Sequence, residues 1–107
     1  LLKEAKLIEK AGAFSLVLEC LSPSSAKLIT NELRIPTIGI GSSANCDGQI
    51  LVTDDMLGLS GFYPKFVKKY VNLNGIIEKA VKRYSRAVKL KKFPTISNFL
   101  NGTKRRK

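Results

Sequence analysis

The sequence lacks several residue types on which common catalytic and metal sites depend. None of its 107 residues is His or Trp, and it holds only two Cys and one Met. The absence of His excludes a His-containing triad, a His general base and any zinc site with an imidazole ligand. Long apolar runs are missing as well, because no stretch approaches the roughly 20 residues that a membrane-spanning helix needs.

The two cysteines, Cys20 and Cys46, are too few for a disulfide-dense secreted scaffold, and they form no CxxC motif. We therefore expect two free thiols in a reducing compartment.

Acidic residues are scarce in the second half of the chain. Residues 1–61 hold five basic and seven acidic residues, a net charge of −2, whereas residues 62–107 hold fourteen basic residues and one acidic residue, a net charge of +13. The hydrophobic fraction of 44% excludes a disordered polar chain. The basic half is compatible with nucleic acid, an anionic membrane surface or small anions as partners.

The first 58 residues alternate between helical and strand patterns. Helical periodicity is found over residues 1–10, and Ser22-Pro23 opens a second helix as N-cap and first helical residue. Short apolar runs predict strands at residues 14–18 and 35–40, each buried on both faces. Such alternation predicts an α/β fold with a parallel sheet.

A third strand is predicted over residues 49–52. The connection before it is short for a parallel crossover, which normally takes about a dozen residues. The pattern therefore leaves a hairpin open at this point.

Beyond Gly58 the pattern changes to loops and helices. We predict a loop over residues 59–64, a short helix over 65–73 and an amphipathic helix over 76–89. We interpret the apolar side of these helices, which includes Phe66, Tyr70 and Tyr84, as core, and the basic face of the 76–89 helix as solvated surface. Residues 59–94 thus form a segment of C-terminal helices, and residues 95–107 form a basic tail.

Three positions follow predicted strands and could carry chemistry: Glu19, the segment 39–43 and Asp54-Asp55. Functional groups gather at the carboxyl ends of parallel strands, because the loops that follow them share one edge of the sheet. A carboxylate directly after four apolar residues is costly to desolvate, which suits a general base.

Each of these positions also has a structural explanation. Glu19 could cap the next helix or pair with a Lys. Gly39 and Gly41 do not complete a dinucleotide-binding motif and could serve close backbone packing. Asp54-Asp55 could bind Mg²⁺, but a solvated turn or helix N-terminus explains the pair equally well and is favoured.

Four motifs follow one another along the first 58 residues: GAFSLVLEC (12–20), IPTIGIG (35–41), CDGQILV (46–52) and DMLG (55–58). PKFVKKY (64–70) and Phe93-Pro94 come after them. In order and spacing these motifs resemble the ketopantoate hydroxymethyltransferase family, and the resemblance covers residues 1 to about 99.

The resemblance implies a (β/α)8 barrel of the phosphoenolpyruvate/pyruvate type, of which residues 1–58 would be the last three strands with their helices. The implied enzyme transfers a hydroxymethyl group from methylenetetrahydrofolate to 3-methyl-2-oxobutanoate, giving 2-dehydropantoate for pantothenate synthesis. Glu19 matches the catalytic glutamate that removes the proton next to the ketone. The resemblance also implies that the short connection before the third predicted strand is a tight parallel crossover and not a hairpin.

The resemblance further implies a Mg²⁺ ion that holds the keto acid. Its aspartate ligands lie on early strands without counterpart here, so no metal ligand and no cofactor-binding residue is assigned. The family usually has Gly-Ala-Gly where this chain has Gly41-Ser42-Ser43.

We therefore expect an enzyme portion that is inactive alone. When complete, it would be a homo-oligomer with no membrane or nucleic-acid partner. The implied location is the cytoplasm, or the mitochondrion in a eukaryote. A small basic nucleic-acid-binding module and a non-functional remnant are the alternatives.

Overall fold

The computed structural model describes residues 1–99, and residues 100–107 of the predicted basic tail lie outside them. Helices and strands alternate in the first part of the chain. The helices are α1 (Leu2–Lys10), α2 (Pro23–Glu32), α3 (Thr53–Leu57) and α4 (Leu73–Lys89), and the strands are β1 (Leu16–Glu19), β2 (Thr37–Ile40) and β3 (Gly48–Gln49). A short 3-10 helix follows over Ile96–Asn98.

The three strands form one parallel sheet in the order β1-β2-β3. Glu19 on β1 is in register with Ile40 on β2, and Gly39 on β2 with Gln49 on β3. The α/β class, the parallel sheet and the tight parallel crossover are confirmed, and the hairpin is wrong.

Local sequence signals explain where the helices begin and end. Ser22 is the N-cap of α2 and accepts a hydrogen bond from the Ser25 backbone N–H at 3.2 Å, with Pro23 in the first turn. After α1, Gly12 has a φ of +105°, a conformation that costs glycine little. The start of α2 at Ser22-Pro23 is as the sequence predicts.

The sheet has one covered face and one bare face. On the covered face, Leu16 and Leu18 of β1 are in register with Thr37 and Gly39 of β2. There Leu18 joins a buried cluster with residues of α1, α2 and the crossover: Ala5, Ala26, Ile29, Leu33 and Cys46. Both cysteines are free, as predicted.

The bare face carries the alternate residues of the same strands, because side chains alternate between the faces of a sheet. Val17 and Glu19 of β1 are in register with Ile38 and Ile40 of β2. Val17 is 51% exposed. The prediction of a strand buried on both faces is therefore wrong for β1, since α1 and α2 cover only one side.

A polar network around the buried Thr37 holds the helix-free crossover between β2 and β3. The Asp47 carboxylate accepts from the Thr37 backbone N–H at 2.8 Å and from its hydroxyl at 3.3 Å, and that hydroxyl accepts from the Asp47 N–H at 3.2 Å. Thr37 is fully buried, and its hydroxyl oxygen lies 2.8 Å from the hydroxyl oxygen of Thr30 in α2. The network ties the first residue of β2 to the residue before β3.

The predicted helix over residues 65–73 does not form. The Tyr70 backbone N–H donates to the Met56 carbonyl at 2.8 Å, and Val67 donates to Pro64 at 2.9 Å in a turn. A helix would need the Tyr70 N–H to reach the carbonyl of Phe66. The four-residue spacing of Phe66 and Tyr70, which is typical of one helix face, therefore does not reflect a helix here.

Two further predictions need correction. The third strand spans Gly48–Gln49 and not residues 49–52, since β2 pairs with it only at Ile38 and Gly39. The three aromatic side chains interpreted as core are not buried in this structure, since Phe66, Tyr70 and Tyr84 are 39%, 66% and 59% exposed.

The chain divides into two compact units. The first, Leu1–Val71, contains the sheet and α1 to α3, and the second begins at Asn72 and contains α4. In the second unit Asn72 caps α4, and Tyr84 meets Phe93 edge to face with ring centroids 5.7 Å apart.

We expect Asp47→Ala to lower the free energy of unfolding by about 1–3 kcal/mol, because it leaves the buried Thr37 N–H without its acceptor. Asp47→Asn retains one acceptor oxygen and should lose less. The matched control is Asp54→Ala, an exposed aspartate in the first turn of α3. Urea unfolding followed by circular dichroism measures all three, and equal losses for Asp47→Ala and Asp54→Ala would contradict the role of the network.

Candidate functional site at the carboxyl edge of the sheet

Glu19 is the last residue of β1 and lies on the bare face of the sheet. It is exposed, so the expected desolvation is wrong for this structure. The structural explanations for Glu19 also fail within residues 1–99, where Ser22 caps α2 and the ion pairs involve other carboxylates. Its carboxylate is thus available at the edge where parallel strands commonly place reactive groups.

The turn after Glu19 is held by a single hydroxyl from the β2–β3 crossover. Ser42 Oγ donates to the Leu18 carbonyl at 2.7 Å and accepts from the Leu21 backbone N–H at 3.1 Å. Between these two residues, the Cys20 backbone N–H donates to the Ile40 carbonyl at 2.9 Å. The Glu19-Cys20 pair is therefore bracketed by hydrogen bonds on both sides.

Cys20 has a φ of +52°, a left-handed conformation that is uncommon for residues other than glycine, asparagine and aspartate. Such a conformation persists where the surroundings hold it in place. The bonds from Ser42 and Ile40 supply that restraint and fix the direction in which the chain leaves Glu19.

Gly41 brings an aromatic side chain onto the end of β2. Its φ is +62°, and a Cβ at this position would lie 2.7 Å from Cγ of Phe66. The Phe66 ring thus packs directly on the backbone of Gly41. This confirms close backbone packing as the role of Gly41, and the contact needs a residue without a side chain.

Asp54 and Asp55 lie in the first turn of α3, as the favoured structural explanation predicted. The Asp55 carboxylate accepts from the Ser60 hydroxyl at 2.5 Å, and the Asp54 carbonyl accepts from the Leu59 N–H at 2.8 Å. Both residues are thus engaged in the α3–loop turn.

The first 99 residues bring together no group of three His, Cys, Asp or Glu side chains that could hold a metal ion. Hard cations such as Mg²⁺ need several oxygen ligands, usually carboxylates and waters. The residues present therefore do not fit the Mg²⁺ site that the family resemblance implies.

The sequence placed Glu19 and the segment 39–43, which contains Gly41 and Ser42, at the ends of strands. It did not indicate the contacts that Ser42 makes or the position of Phe66 at this edge. Ser42 reaches a carbonyl 24 residues earlier in the chain, and no local pattern encodes that contact. The one available signal was the departure of Gly41-Ser42-Ser43 from the Gly-Ala-Gly of the family.

Among the described residues, no helix has both the length and the apolar character required to cross a membrane.

Comparison with known proteins gives one consistent result. The family model described as ketopantoate hydroxymethyltransferase matches residues 1–96. Similar proteins named 3-methyl-2-oxobutanoate hydroxymethyltransferase include that of Anaplasma marginale (strain Florida), which is 59% identical over 92 residues, 86% of this chain and 33% of the relative. Those of Syntrophus aciditrophicus and Enterococcus faecalis are each 57% identical over 95 residues, 88% of this chain and 35% and 34% of the relatives. The chain thus spans about a third of the length of these relatives.

We expect Ser42→Ala to speed hydrogen exchange of the Leu21 amide by roughly tenfold or more, because a buried or part-buried donor without an acceptor opens more readily. Ser42→Thr keeps the hydroxyl and should retain most of the protection. Ser85→Ala, at a serine of α4 in the second compact unit, is the matched control. Nuclear magnetic resonance measures the exchange, and unchanged Leu21 protection in Ser42→Ala would remove Ser42 from this role.

Proposed function

Because this chain belongs to the ketopantoate hydroxymethyltransferase family, we propose that it is the portion of such an enzyme that carries the general base. The reaction moves a hydroxymethyl group from methylenetetrahydrofolate to 3-methyl-2-oxobutanoate and yields 2-dehydropantoate. The observation that carries the proposal is the position of Glu19, an exposed carboxylate that ends β1 on the bare face. The names of the relatives support the substrate and the reaction type.

We propose further that residues 1–58 are the last three βα units of a (β/α)8 barrel. A barrel strand has helices on its outer face and side chains of other strands on its inner face. The covered and bare faces of this sheet match that division. On this proposal, residues 59–94 add C-terminal segments outside the barrel and residues 95–107 form a basic tail.

The proposed barrel explains two features that a free-standing sheet leaves unsatisfied. The bare face presents Val17, which is half exposed, together with Ile38 and Ile40. In addition, β1 is an edge strand whose outer backbone groups have no neighbouring strand in the described sheet. Unpaired edges invite pairing with another segment. Both features would be covered by the further strands of a complete barrel.

Glu19 would act on the carbon next to the ketone of the keto acid. Its carboxylate takes the proton from that carbon, and the electron pair of the C–H bond forms the enolate. The enolate carbon then bonds to the one-carbon unit of the donor, and both carbon–nitrogen bonds of that unit break. Water supplies the hydroxyl oxygen of the new hydroxymethyl group, and tetrahydrofolate leaves with one proton from that water and the one taken up by Glu19. Proton transfer of this kind needs the base within hydrogen-bond reach of the carbon, which a turn held by Ser42 would favour.

No described residue group of this chain suits Mg²⁺, so the proposal assigns no step to the metal. The proposed enzyme would be a homo-oligomer in the cytoplasm, or in the mitochondrion of a eukaryote. The family match does not favour a nucleic-acid-binding module or a non-functional remnant.

The 107-residue chain by itself should form no 2-dehydropantoate. Three strands cannot close an eight-stranded barrel, and the residues that would hold the keto acid are not assigned in this chain. The assay follows product formation from 3-methyl-2-oxobutanoate and methylenetetrahydrofolate by mass spectrometry. Folate-dependent product above the level of a buffer control would overturn the proposal that further segments are required.

Activity can be tested in a chimera, in which this chain replaces the segment that it matches in the Anaplasma marginale relative. In the chimera, Glu19→Gln should slow deuterium exchange at the carbon next to the ketone by roughly 10²–10⁴-fold, because the amide cannot accept the proton.

Glu32→Gln is the matched control for this experiment. Glu32 is an exposed glutamate at the end of α2, where its carboxylate pairs with Lys6 at 3.2 Å. It is not one of the residues at the carboxyl edge of the sheet. We expect its exchange rate to stay within about twofold of the parent chimera, since surface ion pairs contribute little. Near-parental exchange in Glu19→Gln would exclude Glu19 as the base.

A further inference from the structure

A second feature of the carboxyl edge is an open pocket of about 450 Å³ beside the ends of β2 and β3. One wall consists of strand-end residues, among them Gly41, Gln49 and Ile50, and the opposite wall comes from the loop that contains Phe66, Lys68 and Tyr70. Pockets of roughly 300–1,000 Å³ accommodate ligands of cofactor size. All of its walls belong to the first compact unit.

The aromatic wall is held in place by contacts to the sheet and to α3. Phe66 packs on the backbone of Gly41, where any Cβ would collide with the ring. At the other end of the loop, the Tyr70 N–H donates to the Met56 carbonyl at 2.8 Å. The loop thus presents two exposed aromatic side chains from a segment that is tied at both ends.

The same loop carries a local excess of positive charge. Residues 62–71 contain Lys65, Lys68 and Lys69 and no acidic residue. The Lys68 ammonium lies 4.9 Å from the centroid of the Tyr70 ring, and the Lys69 ammonium lies 4.5 Å from that of Tyr63. The ion pairs found among residues 1–99 use other cations, so these ammonium groups remain available to an anion.

We propose that this pocket binds a planar aromatic ring that carries a carboxylate. Phe66 and Tyr70 supply faces or edges for the ring, and Lys68 supplies a cation for the carboxylate. A five-carbon keto acid has no ring and would leave most of the 450 Å³ empty. The inference rests on the proposed function, because the folate-derived donor has both chemical features. It assigns the donor to this pocket and leaves the keto acid to the bare face beside Glu19.

A binding experiment on the 107-residue chain tests the pocket without catalysis. Folic acid is titrated into the ¹⁵N-labelled chain, with p-aminobenzoylglutamate, 3-methyl-2-oxobutanoate and inorganic phosphate as further probes. We expect folic acid and p-aminobenzoylglutamate to shift the amide signals of Gly41, Phe66, Lys68 and Tyr70. Equal shifts with phosphate would indicate a simple anion site and overturn the proposal, as would shifts confined to the keto acid.

Variants define which chemistry holds the ligand. Phe66→Leu and Lys68→Gln should each weaken binding of folic acid by roughly three- to tenfold, because each removes one aromatic or charged contact. Phe62→Leu and Lys27→Gln are matched controls, since both residues are exposed and neither lines the pocket. Equal losses in the controls would overturn the assignment.

The chimera described above separates this inference from the proposed function and also covers the case in which the chain alone does not fold. Phe66→Leu should raise the KM for methylenetetrahydrofolate by roughly three- to tenfold and leave the KM for the keto acid unchanged. An active chimera whose donor KM does not respond would refute the pocket and leave the function standing. Folic acid binding at Phe66 in an inactive chimera would support the pocket and count against the function.

Discussion

The hydrogen bonds between Asp47 and Thr37 are the constraint on which the edge of the sheet depends. A parallel crossover usually contains a helix, which carries the chain back to the start of the next strand. Here residues 41–47 make that return without one, and the Asp47 carboxylate closes the loop on the first residue of β2. Because β3 is parallel to β2, all three strands end at the same edge. A hairpin at this point would instead place the groups that follow β2 and β3 at opposite edges.

That shared edge gives the chain its candidate chemistry. Ser42 belongs to the crossover that Asp47 closes, and its hydroxyl spans the turn after Glu19. Gly41, one residue earlier, receives the Phe66 ring. The crossover thus positions a carboxylate on one side and an aromatic, basic pocket on the other. Family membership gives this arrangement a purpose, since the proposed reaction needs a base and a site for a large donor.

Prediction from sequence succeeded where the signal was local and failed where the partner was remote. The Ser22-Pro23 cap, the two apolar strands and the helical start at Asp54-Asp55 depend on neighbours within a few residues. The helix expected over residues 65–73 failed because its backbone donors found other acceptors, such as Met56 for Tyr70. The contacts of Ser42 were missed for the same reason, since its partners lie in β1 and the turn after it.

The distribution of charge along the chain is another property that the sequence determines locally. Composition and local pattern were sufficient to separate a nearly neutral α/β segment from a basic one, and to place Glu19 after a strand. They could not tell which face of that strand was covered, because alternate side chains of an apolar run are chemically alike. Packing decided it: α1 and α2 bury Leu18 and leave Val17 and Glu19 on the bare face. Which side chains meet across the sheet is a property of contacts between distant residues, and only the folded chain brings those residues together.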